Sequence, residues 1–112
     1  MKYVALAFLA ALLLIVGSTF YQSIHRSRQK RTMYEMTRAA ERVEKGQPVG
    51  EVRDGWGHPM RVRVAGRHYS FRAASRDGRF ETIEPEGRVE SDDYDRDIVF
   101  VDGTFRQVPA GV

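Results

Sequence analysis

The segment Tyr3–Tyr21 contains no charged residue and is built largely from Ala, Val, Leu, Ile and Phe. As a helix rising about 1.5 Å per residue it reaches about 28 Å, close to the roughly 30 Å hydrocarbon thickness of a bilayer. Tyr3 at one end and Phe20 with Tyr21 at the other put aromatic rings where the headgroup boundary favours them. The expectation is an uncleaved transmembrane anchor over residues 1–21. Two alternatives stand beside it, a cleaved secretory signal and a buried helix of a soluble domain. A signal would have a shorter apolar core of about 7–15 residues, and its small-x-small exit is matched poorly by Val16-Gly17-Ser18. No Cys follows to make a lipoprotein.

The chain has 112 residues, so a single small domain remains after the anchor. Domains of this size bury a lower fraction of their surface, and the core will be modest. The sequence has no cysteine, which excludes disulfide staples and thiolate metal sites or nucleophiles. A bound ion or a partner subunit then becomes a natural source of stability.

The net charge of +3 averages unlike regions. Residues 22–46 carry seven basic and three acidic side chains, whereas residues 47–112 carry ten and twelve. The slightly acidic domain lacks the concentrated basic face that nucleic-acid binding requires, so no nucleic-acid partner is expected. The cluster His25-Arg26-Ser27-Arg28-Gln29-Lys30-Arg31 is suited instead to anionic lipid headgroups. It also bears on topology, because Arg and Lys just after the span outnumber Lys2 and the amino terminus before it. The positive-inside rule therefore favours a cytoplasmic carboxyl-terminal domain.

From Gln22 to Lys45 no residue breaks a helix, and Glu, Arg, Lys, Met and Ala dominate. Met33, Met36, Ala40 and Val43 recur at helical spacing on one face, opposite the charged set Glu35, Arg38, Glu41, Arg42 and Lys45. The apolar stripe packs either on the chain's own domain or on another subunit. Gly46 followed by Gln47-Pro48 is a stop signal, so residues 22–46 form an amphipathic helix continuous with the anchor.

The connector that follows holds Pro48, Gly50, Gly55, Gly57 and Pro59 and must be irregular. Trp56, the only tryptophan, sits between two glycines and reads as a structural anchor or as a ligand-stacking group. Next the hydrophobic period becomes two. Met60, Val62 and Val64 alternate with Arg61 and Arg63, and Tyr69, Phe71 and Ala73 alternate with Ser70 and Arg72. This predicts a hairpin with an arginine-rich solvent face. A second hairpin is expected from Ile98–Val101, the turn Asp102-Gly103 and Thr104–Val108, since both central residues of a type I′ turn need positive φ. The fold class is thus α+β, a long amino-terminal helix followed by a small antiparallel sheet of about four strands.

Between the hairpins, Glu81–Asp97 contains eight acidic residues and two arginines. Such a loop either stays solvated or gathers its carboxylates around a cation. Asp93, Asp95 and Asp97 alternate in a way that suits calcium, which takes about six to eight oxygen ligands at about 2.3–2.6 Å. Ile98 stands where an EF-hand needs Gly, so this is not that motif. No catalytic constellation emerges. His25, His58 and His68 lack metal-ligand spacing, Ser70 and Ser75 lack a nucleophile-elbow context, and an enzyme is not expected.

The segment Asp54-Gly55-Trp56-Gly57-His58-Pro59-Met60 resembles the Asp-Pro-Trp-Gly-Asn-Pro-Tyr segment of the type II secretion major pseudopilins, the general secretion pathway protein G family. The order continues with Tyr69 opening a strand, Ala73-Ala74-Ser75-Arg76-Asp77-Gly78, similar to the family's Ser-x-Gly-x-Asp-Gly, and Asp97-Ile98, similar to its Asp-Asp-Ile. The resemblance covers about half the chain. It implies a helix half buried in the bacterial inner membrane, a pseudopilin-like domain over residues 47–112 in the periplasm, and other pseudopilin or secretion-system subunits as partners. It also implies calcium, with Asp77, Asp93, Asp95 and Asp97 as ligand candidates. The family's Gly-Phe-Thr-Leu-Ile-Glu entry into the apolar run has no counterpart here, so no prepilin peptidase site is expected. The function read from these features is a structural or assembly component of a type II secretion or type IV pilus-like system. The alternative is a membrane-anchored, calcium-dependent periplasmic binding module that does not polymerise.

Overall fold

The computed structural model describes residues 2–82, 84 and 87–111; Ile83, Pro85 and Glu86 of the acidic stretch lie outside the described residues. One unbroken helix, α1 (Lys2–Glu44), carries both the apolar and the amphipathic segments. Its 43 residues span about 64 Å at about 1.5 Å each. That length sets the long dimension of a molecule measuring 70 × 27 × 22 Å. At its end the Gly46 amide donates to the Val43 carbonyl (3.0 Å) and the Gln47 amide to that of Arg42 (2.8 Å), the paired closure of a Schellman turn.

The two halves of α1 have different surroundings. Residues 3–23 are exposed to whatever surrounds the protein, and an 18-residue window of this stretch has a mean hydropathy of 2.3 with none of it buried. This is not a core helix of the domain; it is a candidate membrane span, consistent with a single-pass protein. From residue 25 onward one face is covered: His25, Gln29, Thr32, Met36, Ala39 and Ala40 are buried, and Met33 and Val43 pack against the core. The stripe expected from Met33, Met36, Ala40 and Val43 therefore lies on the chain's own sheet.

That sheet has five strands, β1 (Arg61–Ala65), β2 (His68–Ala73), β3 (Val89–Ser91), β4 (Ile98–Val101) and β5 (Thr104–Pro109), in the order β1-β2-β4-β5-β3. Both expected hairpins form. Val62 faces Phe71 and Val64 faces Tyr69 across the first, and the second closes through Asp102 (φ 47°) and Gly103 (φ 86°). β2 and β4 join the hairpins by antiparallel pairing. The difference from the sequence reading is β3, drawn from the acidic stretch, which pairs parallel with β5 and makes the sheet mixed. Its backbone covers what would otherwise be an open edge of β5. Tyr69, Phe71 and Ala73 of β2 and Ile98 and Phe100 of β4 meet Met36, Ala39 and Ala40 of α1 in the core, with Val52 and Met60 from the connector. β1 overhangs this core, and Val64 is half exposed.

Of the described glycines, Gly55 of the connector makes the closest approach to other backbone, against α1. The Gly55 amide donates to Thr32 Oγ1 at 2.8 Å, while the Thr32 hydroxyl donates to the Arg28 carbonyl at 2.8 Å. A Cβ at position 55 would stand 2.1 Å from that carbonyl oxygen. The carbonyl belongs to the helix backbone, and moving the connector away would break the Gly55–Thr32 hydrogen bond. Gly55→Ala is therefore expected to destabilise the domain by about 1–3 kcal/mol or more through overpacking, measured by thermal or denaturant unfolding in detergent.

Candidate functional site

The residues with the densest polar chemistry lie in three connected places: the connector, the helix just past the candidate span, and the outer face of the sheet. In the connector, Asp54 is buried. Its Oδ1 accepts the amides of Trp56 and His58, both at 2.9 Å, and its Oδ2 accepts the amide of Ser75 at 3.2 Å. One carboxylate thus ties the connector to the turn after β2. Ser75 closes the link, since its carbonyl lies 2.9 Å from His58 Nδ1. It adopts φ 66°, a conformation that non-glycine residues seldom take. Asp54, His58 and Ser75 are adjacent without forming a nucleophile relay: Ser75 Oγ is buried and has no hydrogen-bond partner among the described residues.

Trp56 turns back onto α1. Its indole N–H donates to His25 Nδ1 at 3.3 Å, and the two rings stack with an interplanar angle of 20°. Tyr21 meets His25 edge-on at 4.3 Å, and Tyr94 from the acidic stretch lies 5.0 Å from it. The anchoring role of Trp56 is therefore what this conformation displays. His25 corrects one expectation: it does not face lipid headgroups with its basic neighbours but turns inward. Accepting from the indole requires a neutral imidazole with its proton on Nε2. Burial lowers the His25 pKa, Arg76 and Arg28 lower it further, and Asp95 opposes them.

On the outer face, arginines and carboxylates interlock. Arg72 on β2 and Asp97 are both nearly inaccessible, with relative exposures of 6% and 1%. Arg72 donates to Asp97 Oδ2 (2.9 Å) and to Glu84 Oε2 (2.7 Å). Glu81 and Asp97 exchange backbone amides for carboxylates: the Glu81 amide donates to Asp97 Oδ2 (2.9 Å) and the Asp97 amide to Glu81 Oε1 (2.7 Å). Glu81 Oε1 also accepts from Gln107 (2.9 Å) and Arg96 (3.1 Å). Phe80 lies under the Arg61 guanidinium at 4.4 Å. Burial pushes Asp97 above the ordinary carboxylate range, against the pull of Arg72. Burial also acts upward on Glu81, but its hydrogen bonds from Asp97, Gln107 and Arg96 prevail and lower it. The arginine-rich face expected to be simply solvated is instead crossed by part of the acidic stretch.

Arg76 forms the second clamp. Its Nε and Nη2 grip Asp95 at 2.7 and 2.8 Å, Nη1 donates to the Tyr21 hydroxyl, and the guanidinium lies over Tyr94. This fork holds Asp95 below the usual carboxylate range and Arg76 above its own. Tyr21, the last residue of the apolar segment, is thereby linked to the acidic stretch.

The four candidate calcium ligands have the following partners. Asp77 Oδ1 accepts the Arg79 amide, Asp93 Oδ1 the Asp95 amide, Asp95 the Arg76 fork, and Asp97 Oδ2 the Arg72 guanidinium and the Glu81 amide. Among the described residues no three carboxylates or histidines converge on one centre. Calcium needs about six to eight oxygens, so these residues, as placed here, do not present its coordination shell. Of these four candidates, Asp97 Oδ1 is the one oxygen buried without a partner among the described residues. Asp97 also lines a cavity of about 10 Å³ shared with Gln29, Asp93 and Gln107. Charge neutralisation in this conformation comes from Arg72 and Arg76, which spacing within the acidic stretch gave no means of finding. The one available signal was the pattern of Arg72 alternating out of β2.

No family model matches the chain, and neither curated proteins nor solved structures return a match.

Two outcomes are expected from this geometry. Arg72→Met leaves Asp97 buried beside no guanidinium and is expected to lose about 3–5 kcal/mol at neutral pH. A carboxylate whose folded pKa is raised favours folding below its unfolded pKa and loses that contribution as pH rises, so the deficit should shrink on acidification; urea unfolding across pH measures both. For His25 the sign is reversed. Its folded pKa is lowered, so its contribution is present above about 6.5 and lost as pH falls through the folded value. Emission from Trp56, the only tryptophan, should titrate with a midpoint below about 6.5 and lose that transition in His25→Gln.

Proposed function

We propose that the chain is a pseudopilin-like structural or assembly component of a type II secretion or type IV pilus-like system. In this reading it is held in the bacterial inner membrane by Tyr3–Tyr21 with its sheet domain in the periplasm, and its partners are other pseudopilin or secretion-system subunits and membrane lipid. The observation that carries the reading is the division of α1: a bare apolar half continuous with a half packed beneath a small sheet. A subunit of this shape can be held by lipid or stacked helix to helix with its neighbours. The order of the connector, the turn Ser75–Gly78 and Asp97-Ile98 adds sequence support. Arg26, Arg28, Lys30 and Arg31 are all exposed just past the span, and the proposal puts this basic segment on the periplasmic side, against the positive-inside expectation.

A second reading, a membrane-anchored calcium-dependent binding module that does not polymerise, is favoured by the partnerless Asp97 Oδ1 beside its cavity. It requires Asp77, Asp93, Asp95 or Asp97 to leave their present donors for the ion. A melting temperature that rises with calcium and falls with chelator supports that reading; one that ignores both removes it.

Because the chain has no native cysteine, Leu6→Cys/Leu13→Cys reports directly on helix stacking; both positions are exposed, at 63% and 64%. Oxidation of membranes from the native host is expected to give crosslinked bands beyond the dimer. Bands that stop at monomer or dimer overturn the filament-subunit role. A reporter active only in the periplasm, fused after Val112, is expected to be active; silence overturns the periplasmic placement.

A further inference from the structure

A groove of about 1000 Å³ opens between α1 and the end of the domain nearest the candidate span. Its helical wall presents Ser23 with Ser27 and Arg26 with Lys30, two pairs at i, i+4 spacing that share one side of α1. Its other wall includes Asp92, the single acidic residue among the described lining residues, and Tyr94. Arg26 and Lys30 are exposed and take part in no ion pair among the described residues. Two free cations and several hydroxyls in a concave site match a phosphodiester with hydroxyl groups.

The depth of the groove says where that phosphodiester comes from. Tyr21 ends the apolar segment, and each headgroup layer of a bilayer is about 5–8 Å thick. At about 1.5 Å per residue, Ser23 lies about 3 Å and Arg26 about 7.5 Å beyond Tyr21, inside that layer. Lys30 lies about 13.5 Å beyond it. Side chains on a helix lean toward its amino terminus, here toward the membrane, so the Lys30 ammonium reaches back to the same level. The Ser18 and Thr19 end of the groove runs into the apolar helix surface, where acyl chains would continue.

We propose that this groove binds the headgroup of one anionic glycerophospholipid, its phosphate held by Arg26 and Lys30 and its headgroup hydroxyls by Ser23, Ser27 and Asp92. The bound lipid seats the domain at a set height on the bilayer. The inference rests on Tyr3–Tyr21 crossing a membrane and on no feature of secretion.

The test uses the full chain reconstituted in phosphatidylcholine vesicles with and without a minority of phosphatidylglycerol. Flotation with the vesicles establishes insertion first; a chain that fails to float refutes the span itself and is distinguishable from any result on lipid choice. Lipid retained after mild detergent extraction is then identified by native mass spectrometry. Wild type is expected to retain phosphatidylglycerol in preference to phosphatidylcholine. At about fivefold for each cation held against the phosphate, Arg26→Gln/Lys30→Gln should lower the preference about thirtyfold. Arg28→Gln/Arg31→Gln removes equal charge from the same stretch of helix outside the groove and should leave most of the preference intact, with unchanged helicity in both variants. Equal losses in the two double variants, no loss in either, or no preference in wild type overturns the site and leaves only diffuse attraction or none.

Discussion

The contact on which the domain depends is the approach of Gly55 to the backbone of α1. Thr32 makes it possible by donating to the Arg28 carbonyl while accepting from the Gly55 amide, so one hydroxyl satisfies two backbone groups in a place with no room for a side chain. With the connector pinned there, Asp54 can gather the amides of Trp56, His58 and Ser75. Trp56 is then delivered to His25, and the turn after β2 to its place beside the connector. Polar burial on this part of the helix, at His25, Gln29 and Thr32, follows from what lies opposite. The sheet core ends near Met33, and beyond it the helix faces the connector, where Thr32 accepts the Gly55 amide and His25 the Trp56 indole N–H.

The same requirement shapes the other side of the sheet. A domain this small, without cysteine, gains little from its core alone. Of the arginines that alternate out of β1 and β2, Arg61 and Arg63 stay exposed, with Arg61 over Phe80, whereas Arg72 is buried beside Asp97 and Glu84. Burying Arg72 and Asp97 is unfavourable for each charge separately, and the pair persists because the Glu81 amide and one nitrogen of Arg72 meet Asp97 Oδ2 together, while the other Arg72 nitrogen is taken by Glu84. Acidic residues that would repel one another if free are distributed among separate arginines: Asp95 to Arg76, Glu81 to Arg96, Glu84 and Asp97 to Arg72. A cation is one way to gather such a stretch, and guanidinium groups supplied by neighbouring strands and turns are another.

Arg76 extends this network to the boundary of the candidate span. It holds Asp95 with two nitrogens and Tyr21 with a third, so the last ring of the apolar segment is coupled to the acidic stretch. The groove with Arg26 and Lys30 opens on the same level. The candidate span therefore meets its own domain where its apolar surface ends.

Much of this architecture was determined by local pattern. The charge-free run ending at Tyr21, the 3.6-residue stripe through Met36 and Ala40, the stop at Gly46, the two-residue alternation of β2 and the Asp102-Gly103 turn each specify an element through backbone and solvation preferences of neighbouring residues. What only the tertiary structure decided involves residues distant in sequence whose character gives no periodic signal. His25 and Gln29 read as part of a basic run suited to lipid headgroups and Thr32 carries no periodic signal, yet all three are buried against a loop that is absent from their local context. Val89–Ser91 is too short to announce a strand and becomes one only because β5 offers an unpaired edge. The acidic stretch reads as a ligand cluster from its own spacing, whereas its partners, Arg72 and Arg76, come from the strand and turn that precede it. Charge pairing is nonlocal, and the fold selects among the available cations by bringing particular strands and turns together.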